Sequence, residues 1–178
     1  MVALLRGVNV GGVRIAMADL RSIAERCGLA DVATYVQSGN VVFRSSEPDP
    51  ARVASTLEAA IAADAGIEPA VTVRTLDDME RIVSANPFAD RTDDPTHLHV
   101  VFTVGSLPAG LDTLDLAAFA PEELAVVGGE IYLHLPDGMG RSELAKALTK
   151  ISRRSGNSAG TGRNWRSVHA LVDMLRAL

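Results

Sequence analysis

Over residues 2–73 the apolar pattern changes period in a definite order, and that order restricts the fold more than any other feature of the chain. Val2–Leu5 is a short unbroken apolar run, as expected for a buried strand. Met17, Leu20, Ile23 and Ala24 then recur at helical spacing within residues 17–27. Residues 32–36 and 41–43 read as two strands joined by Gln37-Ser38-Gly39-Asn40, a composition suited to a tight turn. Residues 50–63 carry Val53, Leu57, Ala60 and Ile61 as a second helical stripe, and residues 70–73 form a strand that runs into Arg74. The order β-α-β-β-α-β is the split pattern of a ferredoxin-like half.

A second round is fainter. Leu76–Ser84 reads as a linking helix stopped by Asn86-Pro87. Residues 97–104 read as a strand, 114–119 as a short helix, and 124–127 with 131–135 as a hairpin over Gly128-Gly129. Residues 142–152 and 164–177 read as helices, the last standing where the fourth strand would be. The expected architecture is α+β: two ferredoxin-like (split β-α-β) halves packed together, 1–74 and 75–178, the second incomplete and closed by a C-terminal helix.

Composition limits the setting. The chain has 178 residues, 47% of them hydrophobic, without a charged-then-apolar leader or a long apolar run, so a cytoplasmic protein with no membrane partner is expected. The lone Cys27 fits a reducing compartment and reads as a small buried hydrophobe. Net charge is −5, but unevenly spread: residues 141–178 hold eight bases against Glu143 and Asp173. A basic tail on an acidic body suits an anionic ligand, nucleic acid or self-association, or is simply a solvated helix pair.

The first strand ends in Arg6 and enters Gly7-Val8-Asn9-Val10-Gly11-Gly12. A Gly-rich turn before a helix can bring backbone amides to an anion, although this one matches neither the dinucleotide nor the phosphate-loop pattern. Arg6 can grip a carboxylate or phosphate bidentately or pair with an internal acid. Asn9 can cap its loop or touch a ligand. In a split β-α-β-β-α-β sheet the exit of strand one and the hairpin between strands two and three share an edge, so residues 6–12 and 37–40 should meet.

The chain resembles the bacterial family catalogued as domain of unknown function 1697. The resemblance runs from residue 2 to about 175, through Leu4-Leu5-Arg6-Gly7-Val8-Asn9-Val10-Gly11-Gly12, Met17-Ala18-Asp19-Leu20, Tyr35-Val36-Gln37-Ser38-Gly39-Asn40-Val41-Val42-Phe43, Asn86-Pro87-Phe88 and Gly160-Thr161-Gly162-Arg163-Asn164-Trp165. Gly162 replaces the alanine usual in the last element. The resemblance implies an αβ sandwich of ferredoxin-like halves and a cytoplasmic protein, with no established activity.

The candidate ligand-binding set is Arg6, Asn9, Gly11, Gly12, Gln37, Ser38, Gly39, Asn40, Thr161, Arg163 and Asn164. Thr161 is expected to cap the last helix, with Gly162-Arg163-Asn164 as its first turn. Arg163 there runs against the helix dipole, which suggests an anion or an acidic partner. Residues 153–158 are basic and Ser/Gly-rich, a candidate lid. Trp165 reads as a core anchor. Ser38 lacks a nucleophile-elbow frame. His97 and His99 share one strand face and His134 lies on another strand, so a zinc site is conceivable, against the simpler reading of an exposed polar sheet face. His169 has no obvious partner. No C-x-x-C or H-E-x-x-H occurs, and neither a cofactor nor a catalytic residue is named. The functional expectation is a small anionic or phosphorylated ligand on Gly-rich edge loops. The alternative is a non-enzymatic interaction protein, a homodimer or a nucleic-acid binder acting through the basic tail. Sequence-specific RNA binding is disfavoured by the scarcity of aromatics on the expected central strands.

Overall fold

The structure, a computed structural model, describes residues 1–91, 93–154 and 160–178. Among them are two four-stranded antiparallel sheets and five α-helices. The chain divides into two compact units, Met1–Glu80 with Ala170–Leu178, and Arg81–His169.

In the first unit, β1 (Val2–Leu5), β2 (Ala30–Tyr35), β3 (Asn40–Arg44) and β4 (Val71–Arg74) lie in the order β2-β3-β1-β4. Leu4 is paired with Asn40 on one side and Thr72 on the other. β1 and β2 therefore run parallel with β3 between them. Ala3, Leu5, Val41, Phe43, Val71 and Val73 alternate onto one face, where they join the stripes of α1 (Met17–Arg26) and α2 (Pro50–Ala65) in one apolar core. Each large apolar side chain buried there contributes roughly 1.5–3 kcal/mol. The boundaries of α2 follow from its sequence. The Asp49 carboxylate accepts from the Ala51 amide, Pro50 sits in the first turn, and Gly66 ends the helix in left-handed conformation.

In the second unit, β5 (Leu98–Phe102), β6 (Glu123–Val127), β7 (Glu130–His134) and β8 (Thr161–Asn164) lie in the order β6-β7-β5-β8. Val101, Ile131, Leu133 and Leu135 pack with Leu144 and Leu148 of α4 (Glu143–Arg154). The helix expected at 114–119 is instead two 3-10 turns, Leu111–Thr113 and Leu116–Phe119. So short a segment cannot repay the nucleation cost of an α-helix. α3 (Leu76–Ser84) and α5 (Trp165–Arg176) complete the chain.

The expectation of an incomplete second half is corrected by β8. Thr161–Asn164 pairs antiparallel with β5, Phe102 opposite Thr161 and His99 opposite Asn164. Thr161 is therefore a strand residue. The cap of α5 is Asn164, whose Oδ1 accepts from the Ser167 amide at 3.0 Å. Gly160 permits the pairing: with φ at 100°, a Cβ here would overlap the Phe102 carbonyl oxygen.

Candidate functional site

The two loops at the edge of the first sheet do meet. The Leu5 amide donates to the Gly39 carbonyl at 2.8 Å, and the Arg6 amide to that of Ala70 at 2.9 Å. Asn9 binds the loops together. Its Nδ2 donates to the carbonyls of Gln37 at 2.9 Å and Ile15 at 3.0 Å, and its Oδ1 accepts from the Ile15 amide at 3.0 Å. Asn9 holds a positive φ of 55° to do so, a conformation asparagine tolerates better than most residues. Asn40 is fully buried, and its Nδ2 donates to the Tyr35 carbonyl at 3.1 Å and Ser38 Oγ at 2.9 Å. Gly39 sits against Leu5 and Val8 so closely that a Cβ would collide with Val8 Cγ2. Asn9, Gly39 and Asn40 therefore build the loops.

A different subset faces outward. Gly7, Gly11, Gly12 and Gln37 are exposed, and Ser38 is half-buried. The half-buried Arg6 side chain has no hydrogen bond or ion pair among the described residues. Ala16 stands at the N-cap of α1 without a side-chain cap, leaving the first-turn amides without a side-chain acceptor. Three apolar side chains share the rim: Val10 is 62% exposed, Val36 53% and Val13 39%. Val36 also holds a positive φ of 49°, a strained state for a β-branched residue. All four histidines belong to the second unit.

Thr161, Arg163 and Asn164 lie in the second unit, on β8 and at the start of α5. Arg163 is 7% exposed, and its guanidinium donates to Thr161 Oγ1 at 2.6 Å and to the Gly162 carbonyl at 2.8 Å. Burial lowers its pKa to about 10. The first unit repeats the device: Arg74 donates to Thr72 Oγ1 at 2.7 Å and to the Val73 carbonyl at 3.1 Å. The repeated Thr-x-Arg before a capping residue was present in the sequence and is the signal that would have placed β8. Gly162, expected in a helical turn, is an exposed strand residue. The part of the candidate lid at 155–158 lies outside the described residues.

The histidines do not gather. His99 is paired with Leu133 and Leu98 with His134, so His99 and His134 alternate onto opposite faces of the sheet. Among the described residues no group of His, Cys, Asp and Glu could hold a metal ion. His99 is not on an exposed face: it is 8% exposed, its Nδ1 lacks a hydrogen-bond partner, and burial lowers its pKa. His134 Nδ1 lies 3.2 Å from Glu123, which also takes Arg91 at 3.0 Å, and the Phe88 ring packs 6.2 Å away. The sequence reading missed this cluster, because Glu123 and His134 meet only through the pairing of β6 with β7, and Arg91 and Phe88 come from a segment outside the strands. His169 does have a partner, the edge-on ring of the buried Trp165 at 5.1 Å. Cys27 is half-buried and burial raises its thiol pKa, so it is a poor nucleophile.

No described helix is long and apolar enough to cross a membrane. No curated protein matches the chain. Among solved structures, it is similar to the conserved bacterial protein SP0830 from Streptococcus pneumoniae at 25% identity, with a TM-score of 0.79, over 98% of this chain and 97% of that one. The match extends through both sheets, and the description of that protein names no activity. A family model adds the sequence-level link: residues 1–132 match the one described as protein of unknown function DUF1697, and the chain belongs to that family.

Proposed function

We propose that the protein binds a small anion, a phosphorylated or carboxylated molecule with an apolar body, on the loops formed by residues 6–12 and 37–40 of the first unit. The observation that carries this reading is Arg6. A half-buried guanidinium without a side-chain partner among the described residues stands where a loop of exposed amides meets a hairpin. A guanidinium offers paired donors to a carboxylate or phosphate. The amides of Gly11 and Gly12, the Gln37 side chain and Ser38 Oγ supply further groups, and the uncapped start of α1 adds favourable dipole. Val10, Val13 and Val36 offer the apolar body a surface. Asn9, Gly39 and Asn40 act by holding the two loops in register.

Thr161, Arg163 and Asn164 enter this reading as framework of the second unit, since their side chains are engaged in β8 and the α5 cap. The strand order β2-β3-β1-β4, repeated as β6-β7-β5-β8, supports the split β-α-β reading of both halves.

The test is a thermal-shift screen against nucleotides, sugar phosphates and carboxylates, run on the wild type and on Arg6→Ala. At least one sugar phosphate or carboxylate should raise the wild-type Tm and leave Arg6→Ala unmoved, with both proteins sharing one Tm in its absence; a nucleotide that shifts both alike reports a site other than the loops. An unliganded Arg6→Ala that unfolds would make Arg6 structural and end the proposal.

A further inference from the structure

The second unit carries a groove that the loop site does not use. It has a volume of about 610 Å³ and is lined by Met139 and by Ala145, Lys146, Thr149, Lys150 and Arg153 of α4. That volume falls in the range of small-molecule sites, about 300–1,000 Å³. The three cations recur at i, i+4 and i+7, so they share one helix face and span roughly 10 Å along its axis. No acidic residue lines the groove. Lys146 is paired with Glu143 at 2.6 Å, whereas Lys150 and Arg153 have no ion pair among the described residues. Stacking three like charges on one helix face costs stability, and a polyanion would reverse that cost.

We propose that this groove binds a nucleoside di- or triphosphate. Lys150 and Arg153 would take the phosphates, joined by Lys146 once it leaves Glu143. Met139, 38% exposed at the groove wall, supplies a polarizable surface for the base. A compact polyphosphate fits better than a nucleic acid because the positive charge is local. The three lining cations span only roughly 10 Å along α4, the length of a short polyphosphate, and a long polyanion would extend past them.

The experiment is isothermal titration calorimetry at low salt with ATP, tripolyphosphate, inorganic phosphate and a short oligodeoxythymidine. It is run on the wild type, Lys150→Gln/Arg153→Gln, Met139→Ala and Arg6→Ala. All the substituted groove side chains are exposed, and circular dichroism checks that each variant is folded. Expected for the wild type is ATP binding at least about tenfold tighter than inorganic phosphate. Lys150→Gln/Arg153→Gln should weaken ATP and tripolyphosphate by on the order of tenfold or more. Met139→Ala should weaken ATP alone, and Arg6→Ala should leave the ATP affinity of the groove unchanged, which separates this site from the loops. No ATP binding, binding indifferent to the double variant, or an oligodeoxythymidine that binds more tightly than ATP would each overturn the proposal.

Discussion

Asn9 Nδ2 donates to the carbonyl of Gln37 at 2.9 Å, and this bond joins two loops 28 residues apart in sequence. The same amide group also satisfies both backbone groups of Ile15, at the entry to α1. One side chain thus positions the exposed amides of Gly11 and Gly12 relative to the β2–β3 hairpin. Asn9→Ala leaves part-buried backbone groups without their partner, at about 1–3 kcal/mol. Thermal unfolding should show a Tm lower by several degrees. Arg6→Ala should show no comparable loss.

Gly39 is the steric counterpart of that bond. An alanine here would hold a left-handed φ of 70° and place its Cβ 2.8 Å from Leu5 Cβ, in addition to the collision with Val8. The conformation alone costs about 1–2 kcal/mol, and the loops must also part. Gly12→Ala, at an exposed position with open space around it, pays the conformational cost only. Denaturant titration should rank Gly39→Ala as the less stable of the two.

Much of this arrangement was legible in the sequence. The β-α-β-β-α-β order places the exit of β1 beside the β2–β3 hairpin, and the loops meet there. The role of Asn9 was not legible, because an asparagine in a glycine-rich loop is equally suited to capping and to ligand contact. β8 was lost for a physical reason. Thr161-Gly162-Arg163-Asn164 has no apolar alternation, and glycine and asparagine disfavour strands, so only pairing with β5, some sixty residues away, makes it one. Arg163 reads as facing an anion or an acidic partner for the same reason: at a helix start it would oppose the dipole, whereas on β8 it is buried and donates to Thr161 Oγ1 and the Gly162 carbonyl.

Arg163 and Arg6 should accordingly respond differently to removal. Arg163→Ala deletes two charge-assisted bonds within β8 and leaves Thr161 buried without that partner. The expected loss is about 2–3 kcal/mol, measured by urea unfolding. Arg74→Ala, the same device in the first unit, should show a loss of similar size.

His99 makes stability depend on pH. Burial, its largest cause, lowers the folded-state pKa below the ordinary value of 6.5 and outweighs a hydrogen bond with the His97 backbone, while Nδ1 has no partner. The unfolded chain then binds more protons than the folded one between the two pKa values. This contribution to stability is fully present above pH 6.5 and is lost as pH falls below it, at up to about 1.4 kcal/mol per pH unit. The slope stops below the lowered folded-state value. His99→Leu should flatten that part of the profile in urea titrations between pH 7 and pH 5 (roughly, the span over which an unperturbed imidazole charges).

The anion site itself is tested most directly by ¹⁵N–¹H NMR titration of the wild type with pyrophosphate. Binding at the loops requires saturable shifts of the Gly7, Gly11 and Gly12 amides that disappear in Arg6→Ala, while the amides of Lys150 and Arg153 report the groove on α4 separately. Loop amides that stay still in the wild type, or move equally in Arg6→Ala, would contradict it.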